Sequence, residues 1–539
     1  MNGSVNLVRH LPVLAGRWPL RPALIYPGGS LTFAELDEQT DCCARGLQQI
    51  GVRRGDRTVL MVRPGPEFLV LTFALLKLGA VLVLVDPGMG RQNLGPCLRE
   101  SEPFAFLGVP IAHLARIALG WARPTVKLLV TVGGLRLWGG YSFQGVMAQG
   151  VSAQTVDFPS LREEDPAAIV FTSGSTGTPK GVVYTHGMLV AQAELLRQSF
   201  GIRPGEVDLA TFPLFALFDP ALGMTTVFPQ MDFTRPGQVD PTEIIQAIER
   251  HDVTHMFGSP ALLERVGRYG EEHGVRLETL RRVLCAGAPV RDQVLKRFTG
   301  MLTPEAEIHT PYGATEALPI CSISSRELLK ENGSAQGKGV CVGRPLENVH
   351  LAVVQVTDGP IENWSKELLV PEGEIGELVV WGSNVSSQYF GRPGANRLAK
   401  IPSSDGRIRH RMGDLGYLDA RGRIWFCGRK AHRVIRPRRQ LFTVVCEGIY
   451  NQHREVLRSA LVGVGKAPNQ RPVLCVELED KANWRGSSAL AEEILSLGRG
   501  HAQTKEIETL LFHPSFPVDI RHNAKIFRHK LALWAATRI

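Results

Sequence analysis

Directly after the apolar run AAIVF the chain reads Thr172-Ser173-Gly174-Ser175-Thr176-Gly177-Thr178-Pro179-Lys180-Gly181. Successive backbone N–H groups and hydroxyls with little side-chain bulk make a cradle for phosphate oxygens, and Lys180 adds positive charge. The chemistry on offer is the handling of a polyphosphate. It is not a Walker A loop, because Pro179 precedes the lysine and Gly181 stands where a Ser or Thr would reach magnesium. Composition alone leaves a mobile surface turn as the competing reading. Three ionisable residues further along invite the same weighing: Glu316 in YGATE, Asp414 in MGDLGYLD and Lys525 in RHNAKIFR. Taken singly, they read as a helix-start acid, a turn residue and a solvated cation.

The apolar pattern says which elements hold these groups. In LTFAELDEQTDCCARGLQQIG, Thr32 is an N-cap with Glu35 three residues on, a capping box, and Leu31 and Leu36 are spaced as a hydrophobic staple. Apolar residues recur at Phe33, Leu36, Cys43, Leu47 and Ile50 before Gly51 ends the helix. RTVLMV predicts a strand, AAIVFT another, and MLVAQAELLRQSF a helix; DPTEIIQAIERH, VTHMFG and RRVLCAG repeat the alternation. That order predicts an α/β fold with largely parallel sheets. From about Val342 the texture changes to short strands and turns (EIGELVVWG, RIRHRMGDLGYLD, RIWFCG), a β-rich subdomain. Past Arg429, ALVGVG and PVLCVELE with flanking helices are enough for a small core of their own. The expected organisation is a large N-terminal domain of packed α/β sheets over residues 1–428 and a small α+β C-terminal domain over 429–539.

Composition narrows the function classes. The 539 residues carry a net charge of +9, diluted over a large surface, and no dense basic block apart from Arg433 to Arg439 (RVIRPRR). Nucleic acid is therefore not the expected partner, and only a weak attraction to acidic ligands or anionic lipid surfaces follows. The nine cysteines lack CxxC spacing and predict reduced, buried thiols in a cytoplasmic protein. The N-terminus has no signal-like apolar core. FLVLTFALLKLGAVLVLVDP, from Phe68, is near spanning length, but Lys77 and Gly79 interrupt it. A buried helix ending near Leu78 and a strand to Val85 explain it better.

TSGSTGTPKG closely resembles the phosphate loop of the adenylate-forming enzymes, the superfamily of acyl-CoA synthetases, luciferases and adenylation domains. The resemblance runs along nearly the whole chain in the family's order: RPALIYPGGSLTFAELDE and GVRRGDRTVLM, CAGAPV (Cys285 to Val290), YGATE (Tyr312 to Glu316), MGDLGYLD, GRK and RHNAKIFR. It implies that a carboxylate attacks the α-phosphorus of ATP, so that catalysis consists of charge neutralisation and alignment. By this resemblance Thr172, Ser173, Gly174, Ser175, Thr176, Gly177 and Lys180 orient the β- and γ-phosphates. Thr315 bonds phosphate, and Glu316 helps hold Mg²⁺. Tyr312 and Gly313 lie at the adenine beside Gly287, Ala288 and Pro289, Asp414 accepts the ribose hydroxyls, and Arg429 supports the ribose. Lys525 reaches in from a mobile small domain towards the α-phosphate and carboxylate.

Where the acyl-CoA synthetases have an Asp or Lys hinge, this chain has Ala431, followed by RPRRQ with Pro437 and no Gly. Pro and the missing Gly remove backbone freedom on the CoA side; Arg436, Arg438 and Arg439 read as CoA-phosphate ligands or as a solvated face. In TFPLFALFDPALGMTTVFP, Ala216 stands where many members carry an aromatic residue or His. Phe212, Leu214, Phe215, Leu217, Phe218, Leu222 and Met224 line an acyl tunnel or are simply core. Asp219 is either a group that polarises a substrate hydroxyl or an N-cap before Pro220. This stretch, with IHTPYGATEALP and PVDIRHNAKIFRHK, is most similar to the β-lactone synthetases of bacterial long-chain olefin biosynthesis. These adenylate a long-chain 2-alkyl-3-hydroxy acid, whose own 3-hydroxyl then closes the ring. The resemblance further implies thiolase-like, reductase and α/β-hydrolase partners and at most peripheral membrane contact. The alternative is a long-chain fatty acyl-CoA synthetase or a fatty acyl-AMP ligase. His309, beside YGATE, is the candidate base for ring closure.

Overall fold

The capping box closes as its residue types require. Thr32 Oγ1 accepts from the Glu35 N–H at 3.2 Å, and the Glu35 carboxylate accepts from the Thr32 N–H at 2.7 Å. The helix runs Phe33–Gln49. Its neighbour is the apolar segment that nearly reaches membrane length: a helix Pro66–Leu78, ended by Gly79 in the left-handed conformation (φ 67), then a strand Val81–Leu84. Lys77 is fully buried there because two acids of the first helix reach it, Asp37 at 2.7 Å and Asp41. A charge that forbids a membrane span is thus the one that ties two core helices together. The computed structural model describes residues 4–86, 89–153, 158–172, 179–331, 336–480, 482–518 and 526–539. Among the described residues no helix is long and apolar enough to cross a membrane.

Two large sheets carry the fold. A seven-stranded sheet has Leu128–Thr131, Ala105–Gly108, Arg57–Met61, Val81–Leu84 and Pro166–Thr172 in parallel register, with Lys180–Thr185 antiparallel at one edge and Tyr141–Ser142 at the other. The second sheet begins with Pro22–Tyr26, Thr225–Val227, Val207–Ala210, His255–Gly258, Arg282–Cys285 and Glu307–Ala314, again parallel. It then turns antiparallel through Ala317–Ser324, Val340–Pro345, Ile424–Arg429, Ile408–Leu418, Gly376–Trp381 and His350–Val354. The β-rich region expected from about Val342 is therefore hydrogen-bonded onto the end of the second α/β sheet. RIRHRMGDLGYLD, read as short strands with turns, forms the one eleven-residue strand Ile408–Leu418.

After Val434 the chain builds a three-stranded sheet, Val456–Val464, Arg471–Leu478 and Leu510–Phe512, under helices Thr443–Tyr450, Ser488–Gly498 and Arg528–Ala536. Two apolar clusters come wholly from this part, one around Tyr450, Leu461 and Leu474 and one around Val473, Phe516 and Leu531. All nine cysteines are buried and unbridged.

Candidate active site

Register sets the first functional contact. Asp414 faces Arg429 directly across the antiparallel pair Ile408–Leu418 and Ile424–Arg429. Gly413, just before it, adopts φ 64, a left-handed conformation that a side chain resists. Arg429 Nη1 donates to Asp414 Oδ1 at 2.7 Å, and the Tyr312 hydroxyl donates to Oδ2 at 2.6 Å. The sequence placed these three residues 15 and 102 positions apart, and the fold makes them a chain. The Asp414 charge pushes the Arg429 pKa up; burial, then Asp414, pushes that of the Tyr312 phenol well up. Gly313 follows where the chain folds back tightly, so that an added Cβ would meet the Ala317 carbonyl oxygen at 2.7 Å. Gly287 (φ 102), Ala288 and Pro289 line the same cavity from the end of strand Arg282–Cys285.

A second knot holds Thr315, Glu316 and Lys180. The Tyr184 hydroxyl donates to the Thr315 carbonyl at 2.7 Å, and the Tyr389 hydroxyl donates to Glu316 Oε1 at 2.7 Å. The Ser386 N–H donates to the Glu316 carbonyl at 2.8 Å while its hydroxyl donates to Val183 at 2.8 Å. The Phe390 N–H reaches the Gly181 carbonyl at 2.7 Å. Residues 386–390 therefore stitch the return strand of the Gly-rich loop to the central YGATE turn. The Lys180 ammonium lies 4.8 Å from the Tyr389 ring centroid, and Lys400 approaches the same ring at 5.3 Å. Lys400 is only 6% exposed and donates to the Ser386 carbonyl. Burial pulls its pKa down to about 7, against Glu316, which raises it, and with Lys180, which lowers it further.

Lys180, Thr315, Glu316 and Tyr389 share with the Asp414 chain one cavity of about 2410 Å³, far more than a drug-sized ligand needs, and Lys400 lies behind its wall. Its walls include Lys180, Thr315, Glu316, Tyr312, Asp414 and Arg429 at one end and Phe212, Leu214, Phe215, Leu217 and Phe218 at the other. Leu222 and Met224 are buried in core and Ala216, the middle residue of the short turn Phe215–Leu217, is fully buried, so only part of that stretch lines the cavity.

Several sequence-based expectations move. Ser173 to Gly177 and Lys525 lie outside the described residues, as does the Thr172 side chain. The cavity does reach Ile526 and Arg528, and Arg528 donates to the buried Glu447 at 2.8 Å. His309 is not among the cavity's walls: it packs edge-on against Phe200 (5.3 Å), with Glu307 3.6 Å away, so its neighbours hold the ring away from the polar knot. Asp219 faces neither substrate space nor a helix N-cap position; it is the first residue of the turn of helix Asp219–Leu222 and is fully buried. Thr226 Oγ1 donates to Asp219 Oδ2 at 2.8 Å, and Asp208, itself 2.6 Å from His255 Nδ1, faces it. Among the described residues Asp208 Oδ2 and Asp219 Oδ1 have no hydrogen-bond partner in the structure, and burial pushes both pKa values up. Arg436 and Arg439 both pair with Glu506.

Tyr184, Tyr389 and Lys400 escape a sequence reading. SQYFGRPGANRLAK offers no spacing that marks Tyr389 or Lys400 as site residues. Only the pairing of 386–390 with 181–183 and 316 reveals them.

Mg²⁺ is the metal such a site implies, and the donor set fits it. Glu316 presents one carboxylate with an oxygen not held by Tyr389, and among the described residues no cluster of three metal-ligating side chains exists. A hard cation that takes most of its ligands from phosphate and water needs no more.

The two-sheet body, the polar knot and the phosphate-loop strand together define a nucleotide-using enzyme. Residues 13–390 match the family described as AMP-binding enzyme, and the chain belongs to that family. Two relatives match over essentially the whole chain. An olefin beta-lactone synthetase of Xanthomonas campestris is 46% identical over 99% of this chain and 98% of its own length. One of Stenotrophomonas maltophilia is 46% identical over 100% and 99%. Among solved structures, an anthranilate CoA ligase in complex with anthranoyl-AMP superposes with a TM-score of 0.81 at 19% identity, covering 100% of this chain and 99% of that one. The O-succinylbenzoate CoA synthetase of Bacillus subtilis with AMP gives 0.77 at 22%, covering 97% of each chain. These two share the fold.

Proposed function

We propose that the chain is an ATP-dependent, AMP-forming β-lactone synthetase acting on a long-chain 2-alkyl-3-hydroxy acid. In the first step a carboxylate oxygen bonds to the α-phosphorus and the bond to pyrophosphate breaks. In the second the substrate's 3-hydroxyl oxygen bonds to the acyl carbon, the acyl–phosphate C–O bond breaks, and AMP and the hydroxyl proton are released. The nucleophile is already tethered, so ring closure needs only alignment and a leaving group. What supports the reading is the shared cavity: among the described residues, the polar knot and the aromatic and aliphatic side chains from Phe212 to Phe218 line one space. The whole-length similarity to two olefin beta-lactone synthetases supports the choice of reaction.

In this reading Lys180 and the 172–177 loop hold the β- and γ-phosphates and Thr315 the phosphate nearer the acyl group. Tyr312 packs on adenine beside Gly287, Ala288 and Pro289, with Gly313 giving the backbone room. A carboxylate has about four acceptor sites. Asp414 therefore keeps Tyr312 and Arg429 while accepting two ribose hydroxyls. Tyr389 fixes the Glu316 carboxylate in one rotamer, leaving its second oxygen for Mg²⁺. When bound, that ion neutralises phosphate charge against the incoming carboxylate. Residues 429–539 act as a lid that brings Lys525 to the reacting centre. The enzyme works in the cytoplasm beside thiolase-like, reductase and α/β-hydrolase partners of an olefin pathway.

The test is product identification with ATP, Mg²⁺ and a long-chain 2-alkyl-3-hydroxy acid, with and without CoA. Lactone and AMP without CoA is the expected outcome. A CoA-dependent thioester, or no pyrophosphate release at all, overturns the reading. Lys525→Ala should slow adenylation roughly 10²–10³-fold with ATP affinity nearly unchanged; equal loss of both sinks its assigned role.

A further inference from the structure

The helix Pro110–Leu119 is apolar on two sides. Ala112 and Ala115 line the cavity, and His113 is buried, bonded to the Val130 carbonyl at 3.0 Å. Yet Ile111, Leu114, Ile117 and Leu119 project outward, joined by Leu135 and Leu137 from the turn that follows strand Leu128–Thr131; these six are between 48% and 80% exposed. The turn packs on the helix, with Trp138 stacked on His113 at 4.9 Å. A helix whose outward face is as aliphatic as its inward one is normally covered. Exposed aliphatic side chains gathered on one helix and the turn packed against it mark an interaction site.

Charge selects the occupant. From Pro103 to Ala153 the chain carries Arg116, Arg123, Lys127 and Arg136 and no aspartate or glutamate. Arg136 stands in the turn near the start of the helix, and Arg123 and Lys127 follow its end, all three exposed. Cations beyond both ends of an apolar face suit a helix lying in the plane of an anionic bilayer. Ile111 is both exposed and a cavity wall, so the cavity meets the surface at this face.

We propose that the helix Pro110–Leu119 and the turn carrying Leu135 and Leu137 dock on an anionic lipid surface, placing the apolar cavity at the bilayer from which a long-chain acid is drawn. The acid's identity rests on the function proposed above; the docking does not. The experiment is co-sedimentation of the full chain with phosphatidylcholine vesicles, with and without phosphatidylglycerol, for wild type, Leu114→Glu/Ile117→Glu and Arg123→Glu/Lys127→Glu. None of these four side chains lines the cavity, and circular dichroism checks that both variants fold. The expected result is binding to the anionic vesicles that weakens with salt, with each variant reducing the partition coefficient by about tenfold or more. Absence of wild-type binding overturns the proposal. So does unchanged binding by the folded variants, or burial of the face in a self-associated or protein–protein complex that leaves vesicles unbound. Pyrophosphate exchange with a short, water-soluble 3-hydroxy acid is run on the same samples. Exchange without vesicle binding removes only the docking, and vesicle binding without exchange removes only the proposed reaction.

Discussion

At one end of the cavity, Asp414 has both oxygens engaged and Glu316 is held at side chain and backbone. At the other, Phe215 packs at 5.3 Å from Phe257 and 6.3 Å from Phe218, contacts between apolar rings. Behind that wall Asp208, on strand Val207–Ala210, and Asp219, on the short helix Asp219–Leu222, are fully buried and absent from the cavity's walls. The polar end depends on direction: a charged hydrogen bond weakens steeply when its donor tilts. The apolar end depends on volume, which neighbouring side chains share and partly refill. Substitutions at the two ends should therefore fail differently.

Asp414→Ala tests this most severely. It removes the acceptor shared by Tyr312 and Arg429, which is partly exposed and keeps the Met412 carbonyl, and kcat/KM for ATP should fall about 10³-fold with a stability loss of about 1–2 kcal/mol. Isotope exchange and thermal unfolding measure the two; a loss under about tenfold would deny the polar end its special fragility. Tyr389→Phe removes one bond to the Glu316 carboxylate. It should lower kcat about tenfold and raise the Mg²⁺ concentration needed for half-maximal rate, with KM for ATP nearly flat. Phe218→Ala should cost about 2 kcal/mol and change the rate with a short acid by less than about threefold, while disfavouring the longest chains. A uniform loss across chain lengths would make that wall a structural element alone.

The smallest effect concerns the sealed acids. Both carboxyls are held above their ordinary value by burial, so the folded chain keeps a proton that the unfolded chain releases near about pH 4. Their stabilisation is complete below that pH and is lost as pH rises towards the raised value. Asp219→Asn keeps an acceptor for Thr226 and removes one titrating group. The decline in melting temperature between about pH 6 and about pH 8 should be shallower than in wild type, and an identical slope would show that the pair does not hold its proton.

Much of the scaffold was legible beforehand, for local reasons. The capping box at Thr32 and Glu35, the glycine stop at Gly79 and the strand before the Gly-rich loop each follow from neighbours within a few residues. Asp414 and Glu316 stood out because short motifs surround them. His309 and Asp219 misled because a motif neighbour or a Pro says nothing about where a side chain packs; the Phe200 ring and the Asp208 contact decided that.

The sequence by itself determined the element order, the α/β class and the residue types that can hold a nucleotide triphosphate, since propensity, caps and loop chemistry act over short spans. Only the tertiary structure decided that Tyr389 and Lys400 belong beside Glu316, that Tyr312 and Arg429 close on one carboxylate, and that part of the Phe212–Phe218 stretch faces open space. Those contacts span tens to hundreds of residues. Their geometry is set by sheet register and burial, which no local pattern encodes.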